Sequence, residues 1–187
     1  MLGQHDAAID KLQASIALFE AHGPYIARTL HAKYLLLTAV TRAMSDVAAY
    51  TYPPDYRQLA ERWQTFAVEA AAHGMGRLHA MGLGNTAIAT HHLGDAPLAI
   101  SQLREALVRQ SSFQLGPYCA ATLCHIGAAH AKVGEIDEAV RAYERFIEQY
   151  CESNPRHRER VTRAVRHSGI DGGCGQRAAF FAASLGR

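Results

Sequence analysis

The chain has 187 residues, enough to bury a sizeable core as one elongated unit or one ordinary domain. Hydrophobic residues make up 49%, charged residues 19% and the formal net charge is +2, so no global field marks a nucleic-acid or membrane-surface partner. No apolar run approaches the ~20 residues that span a bilayer, and MLGQHDAAID lacks the basic-then-apolar order of a secretory signal.

Residues 4–21 carry Ile9, Leu12, Ile16 and Phe19 at helical spacing, and Gly23-Pro24 ends that helix. A second helix over 25–47 places Leu30, Tyr34, Leu37 and Val40 along one side. Tyr50, Tyr52 and Tyr56 flank the helix-breaking Pro53-Pro54. A third helix runs to Ala72 with Leu59, Trp63, Phe66 and Ala70 inward. A fourth (76–92) and a fifth (96–110) hinge at Leu93-Gly94-Asp95, with Pro97 in the fifth helix's first turn. Gln114-Leu115-Gly116-Pro117 reads as a connector to a sixth helix over 118–132. A seventh starts after Gly134-Glu135 and reaches about Cys151. Ser153-Asn154-Pro155 is a stop and fresh cap for an eighth, to about His167. The glycine-rich stretch 169–175 opens a tail expected to be disordered.

One short pattern recurs. Gly3, Gly94 and Gly134 are each followed five residues later by Ala8-Ile9, Ala99-Ile100 or Ala139-Val140, then by Leu12, Leu103 or Tyr143. Glycine suits a turn between helices, and a small alanine lets helices approach closely beside a larger residue one turn on. From Leu123 the chain reads Leu-x-x-Ile-Gly-x-x-His, then Gly134 and Ala139-x-x-x-Tyr143. This resembles the tetratricopeptide repeat, with Leu123, Ile126 and Gly127 matching conservatively and His130 in place of the usual tyrosine. A weaker unit runs through Leu83, Thr86, Ala87 and Thr90, then Gly94, Ala99, Leu103 and Ala106.

The resemblance implies an all-α fold, a right-handed α-solenoid of antiparallel helix pairs over 1–152. Residues 153–168 would be a basic capping or linker helix, and 169–187 the tail. The spacing departs from the family's 34 residues: Gly94 to Gly134 spans 40 and Gly3 to Gly94 spans 91, with the middle unit, 25–73, lacking a hinge glycine. Long irregular repeats of this kind resemble those of bacterial regulatory proteins. With the chain starting at a repeat hinge, the helix that would cover residues 4–21 is expected to be missing. The stripe of Ile9, Leu12, Ile16 and Phe19 would then be open to self-association.

Eleven histidines raise the question of metal. His91 and His92 end one helix, while Cys124, His125 and His130 lie on another that stacking could bring near. No pair has the i, i+4 spacing that aligns two ligands on one helix face, so neither a metal nor a cofactor is expected. Arg156, His157, Arg158, Arg160, Arg163, Arg166 and His167 make the eighth helix basic. Without interleaved aromatics it reads as a solvated cap rather than a nucleic-acid site. The tyrosines around Pro53-Pro54 fit a partner-gripping loop and a helix-covering connector equally well. No G-x-S-x-G elbow or H-E-x-x-H helix is present, and Cys124-His125, adjacent on a helix, do not form a nucleophile–base pair.

The expected function is therefore that of a non-catalytic scaffold binding a protein or peptide along the first helix of each repeat. By the resemblance, that groove would include Met81, Gly84, Ile88, His91 and His92 from one repeat, and Cys124, His125, Ala128, Ala131 and Lys132 from the next. It would suit an apolar or acidic segment. The alternative is a sensor or regulatory segment of a multidomain bacterial signalling or transcription protein, attached to an output domain such as a diguanylate cyclase or a DNA-binding module. Cysteines with no C-x-x-C spacing read as reduced thiols, which fits a cytoplasmic protein.

Overall fold

The computed structural model describes residues 2–23, 25–48 and 55–153. It forms seven helices: α1 (Leu2–Ala21), α2 (Ile26–Ala48), α3 (Tyr56–Ala72), α4 (Gly76–Leu93), α5 (Ala96–Ser112), α6 (Gly116–Lys132) and α7 (Ile136–Ser153). No strand occurs among the described residues, and no described helix is long and apolar enough to cross a membrane. The expected eighth helix, the tail and Pro53-Pro54 lie outside the described residues.

Local chemistry accounts for the helix boundaries. Asp55 and Asp95 start α3 and α5 as N-caps, their carboxylates accepting the backbone N–H of Gln58 at 3.0 Å and of Leu98 at 3.1 Å. Pro97 sits in the first turn of α5, and Pro117 in the first turn of α6. At the ends of α3, α5 and α6 the chain closes with paired reverse bonds. Met75 N bonds Ala70 O and Gly74 N bonds Ala71 O. Leu115 with Gln110 and Gln114 with Ser111 repeat this pattern, as do Glu135 with His130 and Gly134 with Ala131. These are Schellman turns, which require a left-handed residue just past the helix.

Those left-handed residues reveal a regularity. Gly74, Gly94, Gln114 and Gly134 all have positive φ and fall at intervals of 20 residues. Every second such turn therefore lies 40 residues further along the chain. The same period links the N-caps Asp55 and Asp95, and the buried positions Leu59, Ala99 and Ala139, then Trp63, Leu103 and Tyr143. The segment before residue 73 is thus in register with the rest from α3 onward.

Two expectations are corrected. Gly3 lies inside α1 and is not a hinge. Gln114-Leu115-Gly116-Pro117 is not all connector, because Gly116 and Pro117 already belong to α6 and α5 continues to Ser112.

The chain divides into two compact units, residues 1–89 and 90–187. In the first, α1 packs on α2 and α2 on α3. Tyr34, Trp63 and Phe66 form an aromatic core with edge-on contacts of 5.7 Å (Tyr34–Trp63) and 5.8 Å (Trp63–Phe66). The indole N–H of Trp63 donates to Thr41 Oγ1 at 3.2 Å. Lys33 of α2 bridges α1 and α3 through Glu20 (3.2 Å) and Glu69 (2.9 Å), and these carboxylates, Glu69 first, raise its pKa. On α1, Ile9, Leu12, Ile16 and Phe19 are half-buried, whereas Leu18, outside the expected stripe, is exposed.

In the second unit α5 packs on α6 and α6 on α7, and their three-residue turns make each pair antiparallel. Ala99 and Ala139 are fully buried, as the repeat pattern predicts. Between α5 and α6, Thr122 donates to Gln110 Oε1 at 2.8 Å, both side chains being buried.

Candidate functional site

The last turn of α4 meets the middle of α6 through three imidazoles. Ring centroids lie 5.4 Å apart for His91–His92, 5.7 Å for His91–His125 and 5.9 Å for His92–His125, each pair edge-to-face. Adjacent residues on a helix diverge, so His91 and His92 converge on one ring only because His125 stands between them from another helix. Lys132, at the end of α6, reaches back and donates to the His91 carbonyl at 3.4 Å. That carbonyl also accepts the Gly94 N–H at 3.2 Å, so the α4 C-terminus is tied on both sides.

Two electrostatic effects compete there. The C-terminal end of a helix favours a protonated histidine by about 0.3–1 kcal/mol. Burial opposes it and wins: it pushes His91 down to about 4, with Lys132 and then His92 adding to the effect. His125 is also pushed down to about 4 by burial and then by the other two rings; His92, though exposed, is lowered by partial desolvation and by Lys132. All three are neutral at pH 7. His91 is 5% exposed, and its Nδ1 is buried without a hydrogen-bond partner. Among the described residues no group of three or more His, Cys, Asp or Glu side chains is arranged to hold a metal ion.

The other expected groove residues divide. Cys124 and Ala131 pack against Ala139 and Tyr143 of α7, and burial lifts the Cys124 thiol to about 11, leaving it an inert packing group. Ala128 is half-buried and Lys132 exposed. Met81 and Ile88 are half-buried and Gly84 buried, on the part of α4 that belongs to the first unit.

His130 does not join the cluster. It is 3% exposed, and its Nδ1 lies 2.5 Å from Glu135 Oε2. A carboxylate at that distance places the proton on Nδ1, so Nε2 accepts from Arg104 Nη2 at 3.4 Å. Arg104, His130 and Glu135 line a cleft of about 380 Å3 with Pro97, Ile100 and Val133. Sequence reasoning missed this relay. Its only signal was an acidic residue one position past the Gly134 hinge, where Asp55 and Asp95 cap helices; Glu135 turns back to His130 instead. With Arg104 on the free imidazole nitrogen, His130 works as a strut between α5, α6 and the start of α7.

Comparison of the chain with protein-family models finds no match, and comparison with curated proteins finds none either.

Proposed function

We propose that this chain is a non-catalytic scaffold of tetratricopeptide-like helix pairs, a right-handed α-solenoid that binds a protein or peptide segment along the first helix of each pair. The observation that carries the reading is the 40-residue period of left-handed turns and buried positions. An array of equal helix pairs is what stacks into an extended concave surface. The close approach of Gly127 to Tyr143 supports it further, because both stand at positions of the repeat pattern that the sequence resembles, its glycine and its A-x3-F aromatic.

The groove face would present His92 from α4 and His125, Ala128 and Lys132 from α6. Neutral imidazole edges, a small apolar floor and one ammonium suit an apolar segment carrying a carboxylate. Affinity capture from the source's own extract tests this, comparing the wild type with Lys132→Glu and with Val108→Glu, Val108 being 70% exposed on α5. One partner lost with the first variant and retained with the second supports the groove. A partner retained by both variants, or lost equally from both, contradicts it.

A further inference from the structure

We propose that the cleft of about 380 Å3 between α5, α6 and the turn into α7 binds a free aliphatic α-amino acid, with Arg104 holding the carboxylate, Glu135 the ammonium group, and Pro97, Ile100 and Val133 the side chain. Its volume falls within the range of about 300–1,000 Å3 common for small-molecule sites. The floor of the cleft is fixed. His130 is 3% exposed and held from both sides, its Nδ1 by Glu135 Oε2 at 2.5 Å and its Nε2 by Arg104 Nη2 at 3.4 Å. The two rim charges keep capacity for a ligand. Arg104 spends one of its five N–H donors on that long bond, and among the described residues no carboxylate is ion-paired with it. The Glu135 side chain is 56% exposed, and its Oε1 has no partner among the described residues. Glu138, the other carboxylate on the lining, is engaged by Arg141.

The ligand's charge follows from this arrangement. With Glu138 neutralised by Arg141, one positive and one negative group remain for the cleft. A simple anion drawn to Arg104 is repelled by Glu135, and a simple cation meets the reverse. A zwitterion satisfies both. The path from guanidinium to carboxylate crosses one imidazole with a hydrogen bond on each side, which limits their separation to roughly 8 Å. An α-amino acid carries its charged groups on one carbon and makes a charge-assisted bond of about 2.8 Å at each end, so it spans such a gap. A peptide, with its charged termini farther apart, overshoots it. Pro97, Ile100 and Val133 offer no polar side-chain atom, which selects an aliphatic side chain over a polar one. The cleft shares no residue with the α4–α6 face proposed for a partner, so either reading can fail alone.

NMR titration of the full 187-residue chain at pH 7 with L-leucine, L-leucinamide and 4-methylpentanoate tests the proposal. The amide lacks the carboxylate and the acid lacks the ammonium group. L-Leucine should give saturable shifts at the His130 ring and at the amides of Ile100, Val133 and Glu135. Each half-analogue should bind on the order of tenfold or more weakly, since each leaves one rim charge unmatched. Arg104→Gln, at an exposed position, should weaken L-leucine by a similar factor, whereas Lys132→Gln should leave it unchanged. Should Arg104→Gln disturb the fold, the comparison of the three probes on the wild type decides the matter. No saturation by about 10 mM L-leucine, 4-methylpentanoate or L-leucinamide binding as tightly as L-leucine, or full affinity in a folded Arg104→Gln would overturn the amino-acid site.

Discussion

Gly127 of α6 lies directly beneath the ring of Tyr143 of α7: a Cβ placed on Gly127 would sit 2.8 Å from Cε1 and 2.9 Å from Cδ1 and Cζ. No real side chain tolerates such contacts, so the α6–α7 crossing is set by a missing methyl group. Tyr143 is fully buried, and burial lifts its hydroxyl to about 12. Gly127→Ala gains up to about 1 kcal/mol of helix propensity but overpacks the crossing by roughly 1–3 kcal/mol. Urea unfolding should show net destabilisation. Combining it with Tyr143→Leu should recover part of that loss, since the two residues touch. Additive effects would show that the ring is not the obstacle.

The left-handed turns give a pair of opposite predictions. Gly134 has φ 81° with open space where a Cβ would go, so Gly134→Ala is penalised by conformation alone, about 1 kcal/mol. Gln114 holds φ 55° in the equivalent turn without glycine's freedom. Gln114→Gly should therefore be neutral to stabilising by a few tenths of a kcal/mol, the relieved strain outweighing the extra freedom of the unfolded chain. Thermal unfolding of both variants checks the signs; a destabilised Gln114→Gly would mean that the glutamine side chain holds the turn.

Between α5 and α6, Thr122→Val keeps shape but removes the hydroxyl that donates to Gln110 Oε1 at 2.8 Å. A buried acceptor deprived of this donor costs about 1–3 kcal/mol. Thr65→Val, whose hydroxyl bonds only its own helix on the exposed face of α3, should change stability by less than about 0.5 kcal/mol. Equal effects in chemical denaturation would remove the polar lock from the account.

The histidines also predict how stability depends on pH. In the unfolded chain His91 and His125 take up protons near 6.5, whereas in the folded chain they resist until about 4. Between those values the unfolded state binds more protons, so stability rises with pH across that window. It is complete above 6.5 and lost progressively on acidification, by at most roughly 3 kcal/mol per ring. Denaturation at pH 7, 5.5 and 4 should show a steep decline that flattens in His125→Asn. A stability independent of pH between 6.5 and 4 would contradict neutral, desolvated rings at His91 and His125.

Gly94, Gly134, Ala99, Ala139 and Tyr143 were legible in sequence because each does a job few other residues do: turn reversal, close approach, or filling beside it. Gln114 was not, since glutamine rarely takes a left-handed conformation and gives no signal when it does. Without it the even spacing of turns disappears, and Gly3 looked like a hinge. Trp63, Leu103 and Tyr143 occupy one repeat position with different shapes, which hid the register of α3. The histidine cluster depends on which faces of α4 and α6 meet, information carried by packing and not by local spacing. Packing also turned Cys124 toward α7 and drew His130 to Glu135.

The most direct test of the scaffold reading is site-specific photo-crosslinking from a benzophenone amino acid placed singly at His92, Ala128, Lys132 and Val108 in the full chain. The account predicts that the first three positions capture the same partner and that Val108, on α5, captures nothing above background. Strong capture at Val108 with none at the α4–α6 positions would contradict it, locating the binding surface on the second helix of the pair.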